Sequence, residues 1–146
     1  MFEITRSLEW DMGHRIPNHC GKCRFPHGHR YRLECTLKGD INDIKGDSSE
    51  GMVVDFSELK EVLSSKIYKK LDHRFMLFEG DPMIEHTKPD EKGREYLNYF
   101  IVSFIPTAEN IAKWCFEQIE SSLSESLTLV KCRIYETPNN WVDYHA

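Results

Sequence analysis

Apolar and polar positions alternate along some stretches of this chain and recur at helical spacing along others. Phe2, Ile4, Leu8 and Trp10 alternate imperfectly with charged residues and predict a first strand from about Met1 to Trp10. A second strand has Tyr31, Leu33, Cys35 and Leu37 on one face and Arg30, Arg32, Glu34, Thr36 and Lys38 on the other. After the turn-rich "GDINDIKGDSSEG", the segment "MVVDF" reads as a short strand that feeds a helix. Asp55 is placed to cap that helix with Glu58 in the capping-box position, and Phe56, Leu59, Leu63 and Ile67 share one face, with an end near Leu71.

From Met76 to Tyr99 the chain is polar and punctuated by "EGDP" and "KPDEKG", which predicts a long irregular excursion. "YFIVSF" is a further strand, and "PTAEN" opens a second helix with Thr107 as N-cap and Ile111, Cys115, Ile119 and Leu123 or their neighbours toward the core. Leu127 to Thr137 is the last strand. Strands interrupted by helices point to an α+β fold in one domain, 1–146, with an antiparallel sheet of about four strands and two helices on one face. The open edges of such a sheet favour oligomerisation.

A chain of 146 residues can bury a core without staples. Lys and Arg number 19 against 24 Asp and Glu, a formal charge of -5, so electrostatics gives no reason to expect a nucleic-acid partner. Glu3, Arg6, Glu9 and Asp11 interrupt the first apolar pattern, unlike a signal peptide. The longest apolar run, Tyr99 to Ile105, is broken by Ser103 and too short to span a bilayer. The expectation is a cytoplasmic protein with no membrane partner. Cys20, Cys23, Cys35, Cys115 and Cys132 are odd in number, which favours buried thiols plus one reactive or metal-linked pair over a disulfide framework.

The chemistry concentrates in "HCGKCRFPHGHRYRLE", His19 to Glu34. His27 and His29 enter the second strand with period two, so both imidazoles lie on one side. Antiparallel pairing would bring His14, just past the first strand, beside them. Three neutral imidazoles leave a zinc ion's fourth position open, the catalytic pattern, whereas Cys20, Cys23, His27 and His29 would make a closed structural site. The spacing between C-x₂-C and H-x-H is not that of a zinc finger, and no helix signal follows. With the histidines on the metal, Cys23 lies between Lys22 and Arg24, surroundings that favour a thiolate base. His14 alone, and His19, His86 and His145, read as ordinary residues. Asp72 next to His73 can fix an imidazole tautomer for acid–base work, although a histidine at a helix C-terminus is also common for dipole reasons. Glu109 reads as a dipole-complementing carboxylate, and Glu136, at a strand end, as an acceptor for the paired N–H donors of an amidine-like ring edge.

"CRFPHGH", "VVDF" with "LK" following, "LDH", "PTAEN" and "ETP", in this order over nearly the whole chain, resemble the 6-pyruvoyl-tetrahydropterin synthase superfamily. The C-x₃-H-G-H spacing is most similar to its bacterial branch, the 6-carboxytetrahydropterin synthases of queuosine biosynthesis. The resemblance implies a T-fold (tunnelling fold) whose subunits join as a trimeric barrel and stack as a hexamer, with active sites at subunit interfaces. It implies zinc on His14, His27 and His29, Cys23 as base, Asp72 and His73 completing proton transfer, and Glu136, with Thr107 and Glu109, anchoring the pterin. The implied reaction turns dihydroneopterin triphosphate into carboxytetrahydropterin, acetaldehyde and triphosphate. The alternatives are the pyruvoyl-tetrahydropterin synthase reaction on the same substrate and a non-enzymatic zinc-binding module. Two departures from the family pattern are the Met76 to Tyr99 excursion, read as a surface loop rather than a lid, and "NNW" after "ETP". No role is assigned to Cys20.

Overall fold

A computed structural model describes residues 1–145. Two long strands, β1 (Phe2–His14) and β2 (His27–Gly39), pair antiparallel over their whole length. The first strand runs four residues beyond the predicted end at Trp10, because "DMGH" stays in register with "HGHR". Gly13 and Gly28 face each other in this extension. A Cβ on Gly13 would stand 2.7 Å from the Phe75 ring, so only glycine lets that ring close over the strand.

Asp55 caps helix α1 (Phe56–Leu63) by accepting from Ser57 N rather than through Glu58. The helix continues through a π-helical stretch (Ser64–Tyr68) to a last turn (Lys69–Leu71), the predicted end. "MVVDF", expected as a strand, is irregular here and leads directly into the cap.

The expected four-stranded antiparallel sheet is corrected to a mixed six-stranded one, in the order β4-β3-β1-β2-β5-β6. The excursion begins with β3 (Arg74–Phe78), which pairs parallel with β1. After a 3-10 stretch (Pro82–Thr87), β4 (Tyr99–Val102) pairs parallel with β3. β3 is a short apolar run without alternation, the signature of a parallel strand covered on both faces, whereas β4 lies at the sheet edge with Ile101 exposed. Asp81 anchors the segment between them: its buried carboxylate accepts from Met83 N and meets Arg15 Nε at 2.8 Å. The excursion is therefore tied to the residue next to His14.

Helix α2 (Ala108–Glu120) is capped by Thr107 as expected. It is followed by β5 (Thr128–Thr137), beside β2, and the unexpected β6 (Asn140–His145), which places Trp141 on an outer strand. One apolar cluster joins Trp10, Tyr31 and Leu33 of the sheet to Leu59 and Leu63 of α1 and Ile111 and Cys115 of α2, so both helices cover one face. Cys35, Cys115 and Cys132 are buried in that cluster, and burial raises the thiol pKa of Cys115. Among the described residues, no helix is long and apolar enough to cross a membrane.

Candidate functional site

The β1–β2 register brings the three histidines together. His14 is the direct partner of His27, and His29 pairs with Met12 one step along the ladder. Trp10, Met12 and His14 share a face with His27, His29 and Tyr31, so the imidazoles project from the end of the core, beyond the cover of the helices. Ring centroids lie 4.6 Å apart for His14–His27, 4.9 Å for His27–His29 and 5.3 Å for His14–His29.

Two of the tautomers are set by backbone carbonyls. His14 Nδ1 lies 2.7 Å from the carbonyl of Pro106, just before the α2 cap, and His27 Nδ1 lies 2.7 Å from that of Phe25. With a proton on each Nδ1, each Nε2 presents a lone pair, the arrangement that metal-ligating histidines adopt. His14 Nε2 and His29 Nε2 are buried and make no hydrogen bond. One nitrogen from each ring lies within 4.8 Å of the others, so the set can hold a metal ion. Burial pushes the His14 imidazole down to about 4, and burial likewise lowers His29. Both rings therefore stay neutral, as ligation requires. A nitrogen-only set of three, two of its Nε2 atoms buried and orphaned, matches zinc's preference for imidazole with one position open.

Glu136 enters this cluster from β5. Its Oε1 is 3.6 Å from His29 Nε2 and its Oε2 3.9 Å from His14 Nε2. The signal was available in the alternation of Cys132, Ile134 and Glu136, but only the placement of β5 beside β2 sets that face against the histidines. Beyond Arg32 and Tyr135 the two strands part, and a cavity of about 370 Å³ opens between His29, Arg30 and Arg32 on one side and Glu136, Thr137 and Pro138 on the other.

Tyr31 is a site residue that the sequence reading placed only in the core. Its ring is wholly buried, stacks on Trp10 at 5.6 Å, and meets His14 and His29 edge-on at 5.8 and 5.6 Å. Its hydroxyl has no hydrogen-bond partner. Burial raises its pKa, and the nearby charges of Glu136 and Cys23 raise it further, so it remains a phenol.

Cys23 sits half-buried in a 3-10 turn (Lys22–Arg24) held to the end of β1 by a hydrogen bond from Ile16 N to the Cys23 carbonyl, 2.8 Å. Cys20 is exposed. Neither cysteine joins the metal-competent cluster, which contains only histidines, and this favours the open site over the closed one.

Asp72 and His73 are paired as expected, His73 Nδ1 to Asp72 Oδ2 at 2.8 Å. Burial raises the Asp72 pKa, but hydrogen bonds from His73, Asp11 N and Tyr68 outweigh it and hold the carboxyl below its ordinary value. His73 has a left-handed backbone, φ 58°, and its N–H donates to the Asp11 carbonyl. His73 lines a cleft of about 510 Å³ together with Asp11, Gly28, His29, Arg30 and Arg74. Asp11, Gly28 and Arg30 alternate with the triad residues and point to the opposite face. Within one chain the pair bonds to itself and to Asp11, and not to a triad histidine, although His29 borders the same cleft.

Thr107 is half-buried and next to Pro106, whose carbonyl holds His14. Glu109 is exposed on the first turn of α2 and makes no ion pair or side-chain hydrogen bond among the described residues.

The family model described as 6-pyruvoyl tetrahydropterin synthase matches residues 3–146. The chain is 34% identical over 146 residues to a 6-carboxy-5,6,7,8-tetrahydropterin synthase of Haemophilus influenzae, covering 99% of both chains. It is 36% identical over 145 residues to a protein of the same name from Rickettsia bellii, covering 98% of this chain and 99% of that one. Its fold matches the solved 6-pyruvoyl tetrahydropterin synthase of Caenorhabditis elegans with a TM-score of 0.69 at 24% identity, covering 99% of this chain and 95% of that one. The α+β T-fold expected from the sequence is thus the fold adopted, with six strands in place of four.

Proposed function

This chain belongs to the 6-pyruvoyl tetrahydropterin synthase family, and from that premise we propose that it is a zinc-dependent 6-carboxytetrahydropterin synthase. It converts 7,8-dihydroneopterin triphosphate to carboxytetrahydropterin, acetaldehyde and triphosphate in queuosine biosynthesis. The observation that carries this reading is the convergence of His14, His27 and His29, the Nε2 atoms of His14 and His29 unpartnered, beside the carboxylate of Glu136. Relatives named for this activity, aligned along nearly the whole chain, support the choice of reaction.

His14, His27 and His29 hold the zinc. When bound, it supplies a Lewis acid that polarises the oxygens of the substrate side chain and favours their deprotonated forms. Glu136 accepts the paired N–H donors of the pterin and fixes the ring relative to the triad, with Thr107 and Glu109 completing the anchor from the start of α2. Cys23, as thiolate, takes a proton from the side-chain carbon, and His73, oriented by Asp72, moves a second one.

Because the Asp72–His73 pair bonds to Asp11 and makes no hydrogen bond to the triad within one chain, the pair serves the site of a neighbouring subunit. The complete site then exists only in an oligomer of single-domain chains, a trimer or a dimer of trimers. The enzyme works in the cytoplasm, where a triphosphate that does not cross a bilayer unaided is retained.

The test is turnover of dihydroneopterin triphosphate by the zinc-loaded protein, with acetaldehyde and pterin products followed together. Acetaldehyde with a carboxylated pterin is expected. A retained three-carbon side chain would move the protein to the pyruvoyl reaction, and no turnover by a folded, zinc-replete oligomer would overturn the enzyme reading.

A further inference from the structure

Glu136 stands closer to the metal-competent nitrogens than a residue reserved for the pterin ring needs to. Its two oxygens face two different imidazoles, 3.6 Å from His29 Nε2 and 3.9 Å from His14 Nε2. Both separations are too long for hydrogen bonds, and both nitrogens are buried without a donor or acceptor. With its Nδ1 beside the Pro106 carbonyl, His14 turns a lone pair toward the carboxylate. That lone pair and the carboxylate repel with no proton between them, and a cation between them turns that repulsion into attraction. Two donors on one tetrahedral zinc, with bonds of about 2.0–2.2 Å, stand roughly 3.4 Å apart. The two Glu136 separations exceed that by only a few tenths of an ångström.

The backbone leaves this side chain room to change partners. The register of β5 and β6 shifts between Tyr135 and Thr137, so Glu136 falls outside the ladder. A bulge of this kind re-aims a side chain near a site. The carboxylate is also 25% exposed, on the wall of the cavity between β2 and β5.

We propose that Glu136 belongs to the metal centre as well as to the substrate site: along the His14–His29 edge its carboxylate tightens zinc binding in the substrate-free protein and is given up to the pterin ring when substrate enters. This deepens the reading above and rests on the three histidines as zinc ligands. The ion loses a negative neighbour as the ring binds, so its pull on the substrate's oxygens is strongest when substrate is present. One carboxylate couples recognition of the ring to the electrophilicity of the metal.

The experiment titrates the metal-free full chain with zinc in competition with a chromophoric chelator. Wild type, Glu136→Gln and Glu117→Gln are compared, the last removing the same charge from an exposed position on α2. Zinc is expected to bind Glu136→Gln about 10- to 100-fold more weakly, the range found when a supporting carboxylate is lost, while Glu117→Gln matches wild type. Equal affinity in all three proteins overturns the inference, as does equal weakening of both variants, which is the effect of net charge alone. Circular dichroism of the metal-free forms checks the fold, and Glu136→Ala gives the same comparison should a buried amide unfold the protein. A folded wild type that binds no zinc overturns the metal reading itself, a result distinct from the others.

Discussion

His14 and His27 are direct cross-strand partners whose ring centroids lie 4.6 Å apart, although twelve residues separate them in the chain. The register of one strand pair therefore sets the geometry of the metal-competent cluster, and the hydrogen bonds to Pro106 and Phe25 set the tautomers. Replacing a ligand should cost the metal without costing the fold. His27→Ala is expected to lose its zinc, about one ion per chain in the wild type, while its circular dichroism stays that of the metal-free protein. Elemental analysis after dialysis reads the outcome, and a retained ion would transfer the ligand role elsewhere.

Cys23 separates an enzyme from a structural zinc module. If it is a base outside the metal cluster, its replacement by Ala should leave zinc content and thermal midpoint near wild type and lower turnover by about 10²- to 10⁴-fold. A structural ligand would instead lose metal and stability together.

If the Asp72–His73 pair serves a neighbouring subunit's site, variants should complement one another between subunits. Cys23→Ala and His73→Ala should each be inactive alone. Unfolded together and refolded as mixed oligomers, they should regain part of the wild-type rate, because some sites then take Cys23 and His73 from different chains. No recovery in a verified mixed oligomer would place both residues in one chain's site.

Glu136→Gln should weaken the substrate complex by about 10- to 100-fold, the worth of a charge-assisted hydrogen bond. The comparison is made in excess zinc, so that the metal stays loaded in both proteins. Steady-state kinetics that match wild type would remove Glu136 from ring recognition.

The Asp143–Arg133 pair at the outer strand predicts a pH dependence of stability. Hydrogen bonds from Arg133, one of them 2.7 Å from Nη2 to Oδ2, hold the Asp143 carboxyl at about 2, with Lys131 assisting, against the ordinary 3.8. The folded value lies below the unfolded one, so the pair's contribution is present above pH 3.8 and is lost as pH falls toward 2. It is worth about 2 kcal/mol. Asp143→Asn should lose that amount at pH 7 in a urea titration and differ little from wild type near pH 2.

Much of the fold can be read locally. Alternation placed Tyr31, Leu33 and Cys35 on one face, and Asp55 and Thr107 marked the two helix starts, because side-chain period and capping depend on residues within a turn of one another. The excursion was misread for the converse reason. "YFIV" is the strand expected there, but "RFMLF" becomes one by pairing with β1 and with β4 across many residues, and a short apolar run carries no periodicity to reveal that.

The site divides in the same way. By itself the sequence determined that His27 and His29 share a face, that His14 can reach them from a paired strand, and that Cys23 sits among cations, since each follows from spacing within a strand or turn. Only the tertiary structure decided that Glu136 stands against His14 and His29, that the Tyr31 hydroxyl is left without a partner beside them, and that Asp72 and His73 bond to Asp11 of β1. Period two fixes the face of a side chain relative to its own strand. Which strands become neighbours, and where they part, is set by the packing of the whole core.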